Sequence, residues 1–268
     1  AIVGTGGIAA SHAKAVTSLA DRAELVAAVD VDLARAKEFA AKWDIPAVYA
    51  SLRELLAAGG VPVVPARLAT TAAEAVEHAV ALGLPAVLKV ASPDVAHKTE
   101  AGGVALDLRR AEDVAAAFHA VTTSARRAVP GARVDGVLVS PMRPGGVELL
   151  VSVRRDPAWG PVLAVGLGGV WVEVLGDTSL RLLPAGPDDV EEALGELRGA
   201  ALLRGARGRA PVSARRVAEV AVAIAAVAER LGEDLDTLEV NPLRAAGDEV
   251  EVLDALVVWR DATSHEEG

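Results

Sequence analysis

The 268-residue chain contains no cysteine. Disulfides, thiolate nucleophiles and cysteine-ligated zinc are thereby excluded, and a cytoplasmic setting suits the chain. Positive charge is also scarce. The 27 Lys and Arg against 37 Asp and Glu give a formal net charge of −10. That balance argues against a nucleic-acid binder, which normally presents a basic face, but it leaves room for a local basic pocket for phosphates. No apolar run is long enough to span a bilayer. The mean hydropathy of +0.34 comes from Ala, Val and Leu. The most apolar stretch, Val217 to Leu231, is interrupted by Glu219, Glu229 and Arg230 and is too short to cross. No charged-then-apolar segment with a cleavage site opens the chain, so no signal peptide is expected. The opening Ala1-Ile2-Val3 lacks an initiator Met and is short for a first strand, so a trimmed start is expected. The length allows one large domain or two modest ones.

Two kinds of pattern share this length. The apolar Ala1-Ile2-Val3 runs into Gly4-Thr5-Gly6-Gly7-Ile8-Ala9, a G-x-G-x-x-A turn at the start of a helix. The first glycine, Gly4, suits the tight turn, and the second, Gly6, lets backbone approach a pyrophosphate. The small third residue lets helix pack on strand. The apolar run Glu24–Val29 then ends in Asp30, an acid at the distance that suits a ribose 2′-hydroxyl. Asp30 favours NAD over NADP, and Arg35 nearby weakens that preference.

From Gly4 to Leu56 the chain resembles the glucose–fructose oxidoreductase and inositol dehydrogenase family. The resemblance rests on Gly4–Ala9 with His12, Val29-Asp30-Val31-Asp32, Arg35-Ala36, Phe39-Ala40, Trp43, Ile45-Pro46 and Val48-Tyr49. It covers about the first fifth of the chain. The family's Glu-Lys-Pro motif with its catalytic lysine, its later strands and its substrate domain do not follow. We therefore read residues 1–57 as a β-α-β-α remnant and keep NAD only as the weaker cofactor expectation. Half of a doubly wound sheet leaves an apolar face and an open edge that something else must cover. His12 is read as a helix-surface residue.

The seam lies in a shared pattern. Ser51-Leu52-Arg53-Glu54 is a capping box that opens a short helix to about Ala58, stopped by Gly59 and Gly60. Pro62 and Pro65 follow at once and stiffen an extended stretch, so no flexible linker is expected.

A second capping box, Thr71-Ala72-Ala73-Glu74, opens a helix that ends at Gly83. The strand Pro85–Val90 that follows carries Lys89. A lysine within a buried strand is costly unless it meets an anion, and a phosphate is the natural partner. Ser92–Val104 then combines a turn, the pair His97-Lys98 and the pair Gly102-Gly103. A glycine-rich loop of this kind can present backbone N–H groups to phosphates.

Residues 60–260 are similar to the ATP-grasp part of ADP-forming acyl-CoA synthetases, relatives of the succinyl-CoA synthetase β chain. The motifs run in order: Gly60–Val63, Val87–Val90, Ser92–Asp94, His97-Lys98, Gly102–Val104, Asp135–Val139, Pro141-Met142, Gly145–Leu149 and Asp156-Pro157. They continue through Gly160–Val162, Gly166–Gly169, Val172–Val174, Gly208, Glu239–Leu243 and Leu253-Asp254. The resemblance implies an α/β chain, in which a truncated Rossmann-like segment (1–57) precedes an ATP-grasp fold of two α+β subdomains (58–136 and 137–268).

The same resemblance implies ATP or ADP with Mg2+ as cofactors. Lys89, with the Lys98, Gly102 and Gly103 loop, would meet nucleotide phosphates. Val137–Met142 would form the hinge beside adenine, with Met142 as an apolar wall. The family usually has Gln where this chain has Ser140. Glu148 falls where a ribose or hinge carboxylate is expected, and Asn241 and Asp254, with Glu239 close by, match magnesium ligands. Such oxygen donors suit a hard cation that bridges phosphates. His97 matches a histidine implicated as a phosphoryl carrier, and a neutral imidazole is a competent nucleophile near pH 7. The family also needs a CoA-binding α-type partner, which this sequence does not contain.

His78, His119 and His265 read as surface residues. Arg207 and Arg209 suit a phosphate or solvent equally. Two other functions compete with the ligase: an NAD(P)-dependent oxidoreductase fragment, and a non-catalytic ATP-grasp-like regulatory module. The intact Lys89, His97, Asn241 and Asp254 argue against the last.

Overall fold

The computed structural model describes residues 2–3, 5, 9–18, 25–30, 32–95, 98–169, 171–205 and 210–260. It divides into two compact units, Ala1–Val63 with Gly146–Gly268, and Val64–Gly145.

The chain begins with three parallel strands in the order β1 (Ile2–Val3), β2 (Ala27–Val29), β3 (Ala47–Tyr49). Helices α1 (Ala9–Thr17) and α2 (Leu33–Trp43) connect them. Ala9, Ala13, Ala28, Phe39, Ala40 and Ile45 form the core between helices and sheet. Asp32 caps α2 by accepting from the Arg35 N–H, and Asp44 ends it with a left-handed φ of 54°.

Helix α3 (Leu52–Ala58) starts where the capping box predicts, with Ser51 accepting from the Glu54 N–H. The Glu54 carboxylate reaches one residue further back, to the Ala50 N–H. Glu74 repeats this variation at Thr70.

The Val64–Gly145 unit holds β4 (Arg67–Ala69), α4 (Ala72–Leu82), β5 (Ala86–Ala91), β6 (Val104–Leu108), α5 (Ala111–Ala128) and β7 (Gly136–Pro141). Its strands form an antiparallel sheet in the order β4-β7-β5-β6. One face packs under the two helices through Ala75, Ala79, Leu88, Val114, Phe118, Val121 and Val139.

The remainder builds β8 (Val147–Asp156), β9 (Gly160–Leu167), α6 (Trp171–Leu175), β10 (Thr178–Leu182), α7 (Pro187–Glu196), α8 (Ala200–Leu203), α9 (Ala214–Leu231), β11 (Leu235–Ala246), β12 (Glu249–Val252) and β13 (Ala255–Trp259). The sheet order is β10-β9-β8-β11-β12, with β13 also paired to β11. Leu149, Val151 and Val153 of β8 alternate inward to meet Val190 and Leu194 of α7 and Val217, Val220, Ala221 and Ile224 of α9. The apolar spacing predicted for Val217–Leu231 is therefore core packing.

The divisions differ from those read in the sequence. Residues 1–63 cluster with 146–268, because Leu56 of α3 is fully buried in the core of the larger sheet. The second face of the short parallel sheet turns toward α3 and α9. A cavity of about 200 Å3 there is lined by Val26, Ala27, Tyr49, Leu55, Val227, Arg230 and Leu231. The expected boundary at 136/137 falls within β7, which pairs residue by residue with β5, so the smaller unit extends to Gly145.

Among the described residues, no helix is long and apolar enough to cross a membrane.

Candidate active site

Strand β11 carries the site's central irregularity. It pairs with β13 through Leu235–Val240 and with β12 through Leu243–Ala246, leaving Asn241-Pro242 opposite Leu253-Asp254. Pro242 has no N–H to give to a ladder, and the register with β8 also shifts between Val240 and Leu243. The two interrupted segments close on each other, with the Asn241 N–H donating to the Asp254 carbonyl at 3.2 Å and the Leu253 N–H to the Pro242 carbonyl at 3.0 Å. A bulge of this kind re-aims side chains. Here it brings Asn241 and Asp254, two of the three residues expected to hold magnesium, into one gap.

Glu239 lies two residues before Asn241 and receives its amide Nδ2 at 3.5 Å, the limit of a hydrogen bond. The Asn241 Oδ1 accepts from the Gly169 N–H at 3.0 Å. Asp254 Oδ1 accepts from the Ala255 N–H at 3.0 Å. All three side chains are half-buried.

The Gly168-Gly169 turn requires glycine on steric grounds. The Gly168 N–H donates to the Glu148 carbonyl at 2.8 Å, and a Cβ on Gly168 would lie 2.5 Å from the Leu149 carbonyl carbon and oxygen. Gly169 adopts φ +62°, a left-handed backbone conformation that favours glycine. The turn thus lies directly on β8, with the exposed Glu148 beside it and Asn241 held from the other side.

In the smaller unit, Lys89 sits on β5 opposite Val104 of β6 and Leu138 of β7. Its neighbours Leu88 and Val90 are buried, whereas Lys89 is half-buried on the sheet face away from α4 and α5. Ser140 of β7 pairs with Val87 and shares that face. Met142 follows, half-buried, with its N–H on the Pro85 carbonyl at 2.8 Å. The loop from Lys98 to Gly103 closes on itself. The Gly103 N–H donates to the Lys98 carbonyl at 2.7 Å and the Gly102 N–H to the Thr99 carbonyl at 3.0 Å, so these two donors are already used. The loop is tied to β5 by the Val90 N–H on the Gly103 carbonyl at 2.7 Å. His97, Arg207, Arg209 and His265 lie outside the described residues. His119 is exposed, whereas His78, read as a surface residue, is half-buried on α4.

In the first segment, Gly4 and Gly6 lie outside the described residues, as does the His12 side chain. Asp30 is buried and its carboxylate is filled. Oδ2 accepts from the Thr5 N–H at 2.7 Å, the Thr5 hydroxyl at 2.8 Å and Arg35 Nε at 3.1 Å. Oδ1 accepts from the Asp32 N–H at 2.9 Å and Arg35 Nη2 at 2.7 Å. A carboxylate offers about four lone-pair sites, so this acid clasps the loop after β1. Burial pushes its pKa up, but bonds from Arg35, Thr5 and Asp32 outweigh that and hold it well below the usual carboxylate range.

Sequence reasoning passed over Arg53. From α3, its Nη1 donates to the Leu253 carbonyl at 3.3 Å. Burial lowers the guanidinium's pKa, and the Asp254 charge opposes that shift. An arginine in the first turn of a short helix carries no sequence signal for this role.

The ATP-grasp domain family matches residues 49–258, and the "Oxidoreductase family, NAD-binding Rossmann fold" matches residues 1–89. The acetate–CoA ligase [ADP-forming] I subunit beta of Pyrococcus furiosus is 35% identical over 213 residues, covering 80% of this chain and 91% of that protein. The Archaeoglobus fulgidus acetate–CoA ligase [ADP-forming] I is 37% identical over 190 residues, but the chain spans only 27% of its length.

The acetyl-coenzyme A synthetase 1 (dinucleotide forming) of Ca. Korarchaeum cryptofilum, solved with coenzyme A, Ca-AMPCP and HgCl+, aligns with a TM-score of 0.73 at 35% identity. That alignment covers 77% of this chain and 90% of that one. A second structure of it holds coenzyme A and Mg-AMPPCP, with a phosphohistidine segment pointing towards the nucleotide binding site. It aligns with a TM-score of 0.65 at 33% identity, over 76% and 88% of the two chains. The chain belongs to the ATP-grasp family and, within it, to the β-subunit-like group of the ADP-forming acid–CoA ligases.

Proposed function

We propose that this chain is the nucleotide-binding, β-type part of an ADP-forming acid–CoA ligase, and that it carries a phosphoryl group between ATP and a histidine. The observation that carries the reading is the gap in β11. Glu239, Asn241 and Asp254 gather there as carboxylate and amide oxygens, beside a glycine turn that fixes the Asn241 amide. That donor set fits a hard divalent cation. When bound, magnesium would neutralise charge on the transferring phosphoryl group. Lys89 adds a fixed positive charge for the phosphates, with Lys98 beside it in the loop. Ser140 and Met142 line the adenine hinge, and Glu148 stands at the ribose or hinge position. The ATP-grasp fold takes in residues 49–258, with residues 1–48 as structural support.

Catalysis rests on positioning and charge neutralisation. His97 attacks as the neutral imidazole. Its nitrogen lone pair forms the N–P bond to the γ-phosphorus, the bridging β,γ P–O bond breaks, and the electron pair leaves on ADP. The phosphoryl group then passes to the histidine of a CoA-binding α-type partner, without which no acyl-CoA forms. The overall reaction converts acid, CoA and ATP to acyl-CoA, ADP and phosphate, reversibly.

The test is transfer of label from [γ-32P]ATP to the chain in the presence of an active α partner. An acid-labile, base-stable label that disappears in His97→Asn is expected. Unchanged labelling of that variant, or no label at all, would rule out the carrier role.

A further inference from the structure

We propose that Arg53 is a positioning residue for Asp254, so that the helix at the seam sets the geometry of the metal-ligand gap. The inference rests on the ligase reading above. The Leu253-Asp254 connection is held on one side by β11, through Asn241 and Pro242. On its other side lie α3 and the stretch that follows it. The Val252 N–H donates to the Pro62 carbonyl at 2.8 Å, Val63 bridges to Val252, and Arg53 Nη1 donates to the Leu253 carbonyl.

Arg53 therefore ties down the peptide that leads into Asp254, and its charge is close enough to interact with that residue's carboxylate. Helix α3 is itself anchored, because Leu56 is fully buried in the main core and Gly59 packs closely against Val227. Groups outside the ligand set that hold a ligand in place tune a metal site, and loss of such a group typically costs 10–100-fold in metal affinity.

The experiment titrates Mn2+ into the full chain with saturating ADP and detects bound metal by electron paramagnetic resonance, alongside a thermal melt. Wild type, Arg53→Met, Arg53→Lys, Asp254→Asn and the double variant Arg53→Met/Asp254→Asn are compared. Arg53→Met keeps side-chain bulk, so its melt should stay near wild type while metal affinity falls about 10–100-fold. Arg53→Lys should recover part of that loss, and the double variant should be no weaker than Asp254→Asn alone.

Wild-type metal affinity in Arg53→Met, or additive losses in the double variant, would overturn the proposal while sparing the site. A thermal loss with unchanged metal affinity would do the same, by making Arg53 purely structural. If Asp254→Asn also binds metal normally, or wild type binds no Mn-ADP, the ligase site itself fails. Should Arg53→Met not fold, the Arg53→Lys titration decides: a measurable loss supports positioning, and none refutes it.

Discussion

Two groups of oxygen-bearing side chains sit in the same compact unit, Asp30 in the first segment and Glu239, Asn241 and Asp254 near β11, yet their surroundings differ. Asp30 receives five donors, including Nε and Nη2 of the Arg35 guanidinium, and is almost wholly buried. Glu239, Asn241 and Asp254 are half-buried around a break in a strand ladder, where the Gly169 N–H reaches Asn241, the Ala255 N–H reaches Asp254 and the Asn241 amide reaches Glu239. A carboxylate saturated by its own chain stabilises a loop. Oxygen donors gathered where the backbone is interrupted suit an external cation. The difference teaches that the backbone around an acid, not the acid alone, separates a structural carboxylate from a candidate ligand.

The comparison breaks most sharply at the glycine turn. Gly168→Ala would drive a Cβ into the backbone of Leu149. We expect a loss of about 3 kcal/mol, at the upper end for overpacking, together with loss of magnesium-dependent nucleotide binding. Chemical denaturation and calorimetry would read the two effects. Gly59→Ala comes next. Its Cβ would meet the buried Val227, so about 2 kcal/mol should be lost with nucleotide affinity retained in the folded fraction.

Asp30→Asn sharpens the contrast from the other side. It keeps the shape but removes the charge that receives Arg35 and Thr5. Stability should fall by about 1–2 kcal/mol with no change in Mg-ATP affinity. Altered ATP binding in this variant would contradict a purely structural role.

Acid titration has the smallest effect. The bond from Arg181, then that from Ser179, hold Glu196 down at about 2, and Asp30 is depressed as well. A depressed carboxylate adds stability that is fully present above its unfolded pKa and is lost as pH falls toward the folded value. The melting temperature should therefore hold near neutrality and decline from about pH 4.5 toward pH 2. The decline should be shallower in Arg181→Met.

Much of this was legible in the chain. Both capping boxes mark real helix starts, and the Val217–Leu231 periodicity marks the central core helix. Leu238–Leu243 with Leu253-Asp254 pointed to one site, although the sequence held no sign that they face each other across a strand gap. That arrangement comes from pairings made by two different strands with β11. The open face of the short parallel sheet was also foreseen, but α3 and α9 as its neighbours depend on contacts distant in sequence. The filled state of Asp30 is a tertiary feature, because Thr5 approaches it from 25 residues away. The Gly102-Gly103 pair looked like a phosphate cradle, yet its N–H groups close its own loop.

The central claim is that the later motifs, not the opening one, bind nucleotide. Calorimetric titration of the purified chain with Mg-ATP, and separately with NAD and NADP, tests it most directly. The account predicts magnesium-dependent ATP binding that is lost in Lys89→Ala, with no dinucleotide binding. Tight NAD binding without ATP binding would contradict it and make the Gly4–Asp30 segment the working site.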